Sequence, residues 1–193
     1  MVLTPHFAGS EPVIATSGKY QGTAILQEEQ AQGLKLIQAL SEAQRRKAVL
    51  NFSKTGNNNL TQAFKDNVVL DYAGVRAAEL SSRHQQQVLE LASLYLGNMD
   101  EGHAKLKIDE MKRHLNFTYF AWIGGTDAAS VYYYRIHSPV LLIEFDHQRP
   151  ANLRATGANQ PTRRHIHTVV RTPNGNDYGK DLRRQHYLPR HGR

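Results

Sequence analysis

The order in which the periodicities occur constrains this chain more than any other feature. Helical spacing fills the first part and β-prone runs fill the second, with no alternation between them. Leu26, Leu34, Ile37 and Leu40 recur near helical intervals and predict a helix over 25–40. Ser41-Glu42-Ala43-Gln44 is a capping-box pattern, so a second helix is expected over 42–50. Ser82 predicts the start of the clearest helix, 83–97, with Val88, Leu89, Leu91, Ala92 and Leu96 on its buried side and Gly97-Asn98 as its stop. Asp100 starts a fourth, over 101–115, carrying Ala104, Leu106, Ile108 and Met111.

From Phe117 onward the runs become aromatic and β-branched. Residues 117–123, 131–137, 140–147 and 163–171 read as strands. They are separated by Gly124-Gly125-Thr126-Asp127, by Ser138-Pro139, and by a loop over 148–162 with Pro150, Gly157 and Pro161. Helices followed by consecutive strands predict an α+β fold with a mostly antiparallel sheet. Residues 1–24 carry Pro5, Gly9, Pro12, Gly18 and Gly22 and read as leading loops. Residues 51–74 read as a polar connection with one short extended piece at 67–71. The expected division of the single domain 1–193 is loops over 1–24, helices over 25–115, and sheet and site over 116–193.

Composition removes several function classes. The chain has 193 residues, 40% hydrophobic and 21% charged, which is ordinary for a soluble globular domain. No run approaches the roughly 18 apolar residues of a membrane span. Cysteine is absent, which excludes disulfides, thiolate metal sites and cysteine nucleophiles. The segment Met1–His6 lacks the basic and apolar regions of a signal peptide, and the compartment stays open. The net charge is +7, with Arg163, Arg164, Arg171, Lys180, Arg183, Arg184, Arg190 and Arg193 gathered toward the C-terminus. Without any nucleic-acid-binding signature these read as a solvated basic surface around a site, and no nucleic-acid partner is expected.

The chemistry-bearing residues lie on the strands. Strand side chains alternate faces, so His165, His167 and Val169 share one face. Imidazoles two residues apart on a strand stand about 6–7 Å apart at their Cα atoms and can reach one ion. Glu144 sits inside the apolar run Leu141–Phe145, where a carboxylate is costly unless paired or bound to metal. If the two strands are neighbours, Glu144, His165 and His167 form a two-histidine, one-carboxylate set that suits iron, zinc, manganese or copper. His186, on a short helix over 178–186 capped by Asp177, is the fourth candidate ligand or an acid/base group. Tyr178 is expected over the site, and Asp177 is also a candidate acceptor for a ligand imidazole.

Plainer readings stand beside these. Glu144 can pair with Arg135 or Arg164. His186 can be a solvated helix residue, and His137 and His147 are weaker candidates. His6, His84, His103 and His114 read as surface. Tyr119, Trp122, Tyr132, Tyr133 and Tyr134 read as packing. No nucleophile elbow, phosphate loop, dinucleotide fingerprint or His-Glu-x-x-His segment is present.

A series of longer segments carries a resemblance. Pro5–Pro12, Trp122-Ile123-Gly124, Tyr133–Pro139, Ile143–Asp146, His165–Val169 and Asn174–Leu182 occur in this order. The pattern resembles an uncharacterised family catalogued as domain of unknown function three thousand five hundred, over nearly the whole chain. The resemblance implies that its recurrent polar residues fall on Glu144, His165, His167, Asp177 and His186. It implies no established activity. It also implies that members are longer, with a Gly-His-His strand shortly before the segment like Pro5–Pro12. This chain then looks like the C-terminal half of the family domain, open to a missing N-terminal half or to self-association through an exposed sheet edge. Arg183 stands where the family pattern has a leucine, a departure that bears on an apolar contact there.

The expected function is metal-dependent chemistry of the redox type on a small-molecule substrate. Glu144, His165, His167 and His186 would be ligands to Fe, Cu, Zn or Mn. A metal-dependent hydrolase is the alternative. A non-catalytic binding module or inactive fragment is the third reading.

Overall fold

The computed structural model describes residues 1–151 and 159–187. Gly157, Arg190 and Arg193 lie outside the described residues. The helices form where their ends are satisfied. In α2 (Glu42–Ala48) both halves of the Ser41/Gln44 capping box are present. In α3 (Ser82–Leu96) the cap is Ser81, one residue before the expected one, whose hydroxyl accepts from the His84 N–H. Asp100 caps α4 (Glu101–Arg113) through the Gly102 N–H. The first helix, α1, spans Gln27–Ala39. Helix α2 stops at Ala48 because the next three residues become a strand.

The strands are β1 (His6–Ser10), β2 (Val49–Asn51), β3 (Val75–Arg76), β4 (Tyr119–Gly124), β5 (Tyr132–His137), β6 (Leu142–His147) and β7 (Ile166–Arg171). They form one seven-stranded sheet in the order β1-β7-β6-β5-β4-β2, with β3 also on β4. Every pairing is antiparallel except β2 on β4. Two expectations are corrected. The leading segment is not all loop, because His6–Ser10 forms an edge strand on β7. Residues 67–71 form no strand; the short extended piece is Val75–Arg76. Helix α5 (Lys180–Tyr187) ends the described chain.

One face of the sheet carries the helices. The cross-strand row Trp122, Tyr134, Phe145, Thr168 lies on it, with Tyr132, Ile136 and Ile166 in flanking rows. Tyr134 shares a 2.5 Å hydrogen bond with Tyr95 of α3, and Tyr132 Oη donates to the Gln30 carbonyl of α1 at 2.5 Å. Gly33 lets α1 seat on the Tyr134 ring, since a Cβ there would come within 2.4 Å of it. Leu36, Ile37, Val88, Leu91 and Met111 complete this core. Burial of such side chains, each contributing about 1.5–3 kcal/mol, is what joins the helical part to the sheet. No described helix is long and apolar enough to cross a membrane.

His147 is buried on this face. Its Nδ1 accepts from the Tyr132 N–H at 2.8 Å, and Nε2 lies 2.8 Å from Gln30 Oε1. Accepting at Nδ1 places the single ring proton of the neutral form on Nε2, which donates to Gln30. Burial, with Arg163 and Lys54 adding to it, pulls the pKa from 6.5 down to about 3. The unfolded chain therefore takes up this proton first as pH falls. The contribution is complete above the unfolded value and is lost from about pH 6.5 toward 3, at up to about 1.4 kcal/mol per pH unit. His137, lowered to about 4, acts in the same sense, while Asp146, raised to about 6, opposes it. Urea unfolding at pH 7, 5.5 and 4.5 should show wild type losing more stability than His147→Gln. Parallel losses in the two proteins would contradict this assignment.

The other face carries charge. Cross-strand pairing sets Arg135 beside Glu144 and Glu144 beside Val169. The next row is Tyr133, Asp146, His167 and Gly9. The segment 52–74, which has no regular strand or helix, covers this face through the contacts described next.

Candidate functional site

A carboxylate inside a sheet must be met by donors, and here the donors are backbone amides. Glu144 is fully buried. Its Oε1 accepts from Leu60 N–H (2.8 Å) and Tyr133 Oη (2.7 Å). Its Oε2 accepts from Thr61 N–H (2.8 Å) and Thr61 Oγ1 (2.5 Å). Asp146 does the same one row away, accepting from Asn58 N–H (2.7 Å) and Asn59 N–H (3.3 Å) and from the Gln148 side chain, and pairing with Lys54 Nζ at 2.7 Å. Burial pushes the Asp146 carboxyl up to about 6 against the pull of Lys54, and burial lowers Lys54. Burial first, and Glu144 second, raise the Tyr133 phenol well above its ordinary value, so it remains a donor.

Further along the same segment Asp177 Oδ2 accepts from Asn67 N–H (2.5 Å) and from Arg171 Nη1 (3.1 Å). Arg171 also donates to the Lys65 carbonyl (2.8 Å), and Arg135 to the Asp71 carbonyl (3.2 Å). Arg171 is therefore not part of a solvated basic surface; it is fully buried. Lys54 pairs with Asp146 and Arg171 with Asp177, and together with Glu144 and Arg135 these groups hold 54–71 onto the sheet.

The histidine pair stands at the edge of this arrangement. His165 Nε2 and His167 Nε2 are 3.0 Å apart, with the rings nearly perpendicular at 85°. His165 Nδ1 is 2.7 Å from the Arg149 carbonyl, and Glu11 Oε2 lies 3.6 Å from the same nitrogen. A carbonyl only accepts, so Nδ1 carries a proton and the neutral His165 presents a lone pair at Nε2. Burial, and then His165, hold the His167 pKa below its ordinary value, so this ring is neutral near pH 7. Gly9 on β1 makes room for it, because a Cβ there would come within 2.6 Å of His167 Cδ2. His165 is buried, whereas His167 is exposed toward a cavity of about 430 Å³ lined by Phe7, Asn59, Phe64 and Val169 among others.

The expected residues separate accordingly. His165 and His167 come together as strand alternation requires. Glu144 lies on the neighbouring strand and the same face, but register sets it across from Val169, and Asp146 is the residue beside His167. Both carboxylates are already taken up by the 58–61 amides. Among the described residues no group of three or more His, Asp and Glu side chains is arranged to hold one metal ion. Of the expected set Glu144, His165, His167 and His186, the fold brings His165 and His167 together and places Glu144 and His186 apart from them. His186 is exposed on α5, with its ring 5.7 Å from that of Tyr187. Asp177 neither orients an imidazole nor caps α5; Asn176 Oδ1 accepts the Asp181 N–H instead. Tyr178 is exposed and donates to Asp66 at 3.0 Å.

His137 is buried and stacks on Tyr72 at 4.2 Å between ring centroids. Gly9, Glu11, Arg149 and Asn59 are site residues that the sequence reading missed. Gly9 and Glu11 fall in the segment Pro5–Pro12, whose glycine and prolines read as loop chemistry and so mask an edge strand.

No curated protein and no solved structure matches the chain. A family model does match, over residues 1–180, and the chain belongs to that family, described as Protein of unknown function (DUF3500).

Proposed function

We propose that this protein binds a divalent metal ion through His165 and His167, with the open coordination positions facing the cavity beside His167. The observation that carries this is the 3.0 Å separation of the two Nε2 atoms, with His165 Nδ1 tied to a backbone carbonyl. Nitrogens that each bind one ion at about 2.0–2.1 Å lie roughly 3 Å apart when they occupy adjacent positions. A histidine that donates its other N–H to a carbonyl or carboxylate is the usual orientation of a metal ligand. Loss of Glu144 from the set removes the main case for non-haem iron and leaves imidazole-preferring zinc or copper as the fitting ions.

With two protein ligands the remaining positions belong to water, substrate or further protein groups. In this reading the chain is the C-terminal half of the family domain, and histidines from its other half complete the shell. Copper would support an oxidoreductase, and zinc a hydrolase that activates bound water.

Calorimetric titration of zinc and of copper into untagged, metal-free protein tests the proposal. One ion per chain is expected. His165→Ala with His167→Ala should weaken binding at least about 100-fold, since the loss of an orienting group alone costs about 10–100-fold. An absence of binding by wild type would overturn it and favour a binding module that uses no metal, and equal binding by the double variant would overturn it by placing the ion at other residues.

A further inference from the structure

Asn59, a wall residue of the cavity beside His167, carries an acceptor that the protein leaves unused. Asn59 is only 7% exposed, lines the cavity, and its Oδ1 is buried without a hydrogen-bond partner. Its backbone is fixed by Asp146, the cross-strand partner of His167, so Asn59 stands over the histidine row. A buried acceptor of this kind is destabilising unless a donor meets it.

The walls are uncharged and include two phenylalanines beside polar Gln62 and Thr168. Phe7 is 44% exposed, with the Arg171 guanidinium 5.8 Å from its ring centroid. Phe64 is fully exposed and has φ of 66°, in the left-handed region that bulky residues avoid. Such strain and exposure concentrate where a side chain meets a ligand. Val169 adds apolar surface, and none of the lining residues is Asp, Glu, Lys or Arg.

We propose that this cavity takes a small neutral aromatic molecule bearing a hydroxyl group, with its ring against Phe7 and Phe64 and its hydroxyl donating to Asn59 Oδ1. This names the substrate class of the proposed metal site, and any chemistry on that substrate rests on the metal reading. The binding itself does not, so it is measured in metal-free protein with chelator present.

Phenol and toluene, which differ by the donor, are the probes. Titration followed by amide NMR should give saturable shifts at Phe7, Gly9 and Ala63, with phenol about tenfold tighter than toluene. Asn59→Leu should bring the two affinities together, whereas Asn59→Asp, which keeps an acceptor, should keep the preference. Phe64→Ala should weaken both probes. Absence of saturable shifts, equal affinities in wild type, or an unchanged preference in Asn59→Leu would overturn the proposal. Zinc binding without phenol binding would sink the ligand class alone, and phenol binding without zinc binding would sink the metal reading alone.

Discussion

Glu144→Ala is expected to destabilise the protein by about 3–5 kcal/mol, the range for removing one side of a buried, hydrogen-bonded charge network. The change strips the acceptor from Leu60 N–H, Thr61 N–H, Thr61 Oγ1 and Tyr133 Oη together. For a chain of this size that corresponds to a fall of roughly 6–20 °C in Tm. Hydrogen exchange at the Leu60 and Thr61 amides should accelerate more than exchange in β4–β6, because those two donors lose their partner directly. Zinc affinity at the histidine pair should be unchanged, which separates a structural carboxylate from a ligand. A loss below about 1 kcal/mol by urea unfolding, or a parallel collapse of zinc binding, would show that Glu144 serves another purpose.

Why Glu144 could be singled out while its partners stayed hidden is a matter of what periodicity encodes. An apolar run around a carboxylate signals burial, and Glu144 is buried. Its partner is the backbone of 60–61, and a backbone amide leaves no mark on residue type. The segment 51–74 has no hydrophobic period, so it read as a connection, although it forms the cover of one sheet face. Register was hidden for the same reason. Alternation fixes which face His165 and His167 share, but only the strand ladder decides that Asp146 rather than Glu144 is paired with His167. The helices were legible to within a few residues because Ser41, Ser81 and Asp100 are local caps whose geometry depends on a handful of neighbours. Strand β1 was not legible, because its partner β7 lies at the far end of the chain and its own residues carry glycine and proline nearby.

Arg171 and Asp177 give the second large effect, and they test whether the buried charges act as matched sets. Arg171→Met should cost about 3–5 kcal/mol, because Asp177 is left as an uncompensated buried anion and the Lys65 carbonyl loses a donor. Asp177→Leu should cost a similar amount, since it frees Arg171 and the Asn67 N–H at once. The double variant removes both charges and should be less destabilised than the sum of the two by about 1–3 kcal/mol, the coupling of residues in one network. Proteolysis should follow the same order: either single change exposes the chain around 62–70 to cleavage, because Arg171 and Asp177 tether Lys65 and Asn67 to the sheet. Additive losses, or a protease-resistant 62–70 segment in Arg171→Met, would mean that this segment is held by its apolar contacts instead. The cavity bears on the same point. Asn59 is itself held by Asp146, and Phe64 lies between the Thr61 contact to Glu144 and the Lys65 contact to Arg171. Loss of the second tether should therefore weaken phenol binding in a variant whose histidine pair is intact.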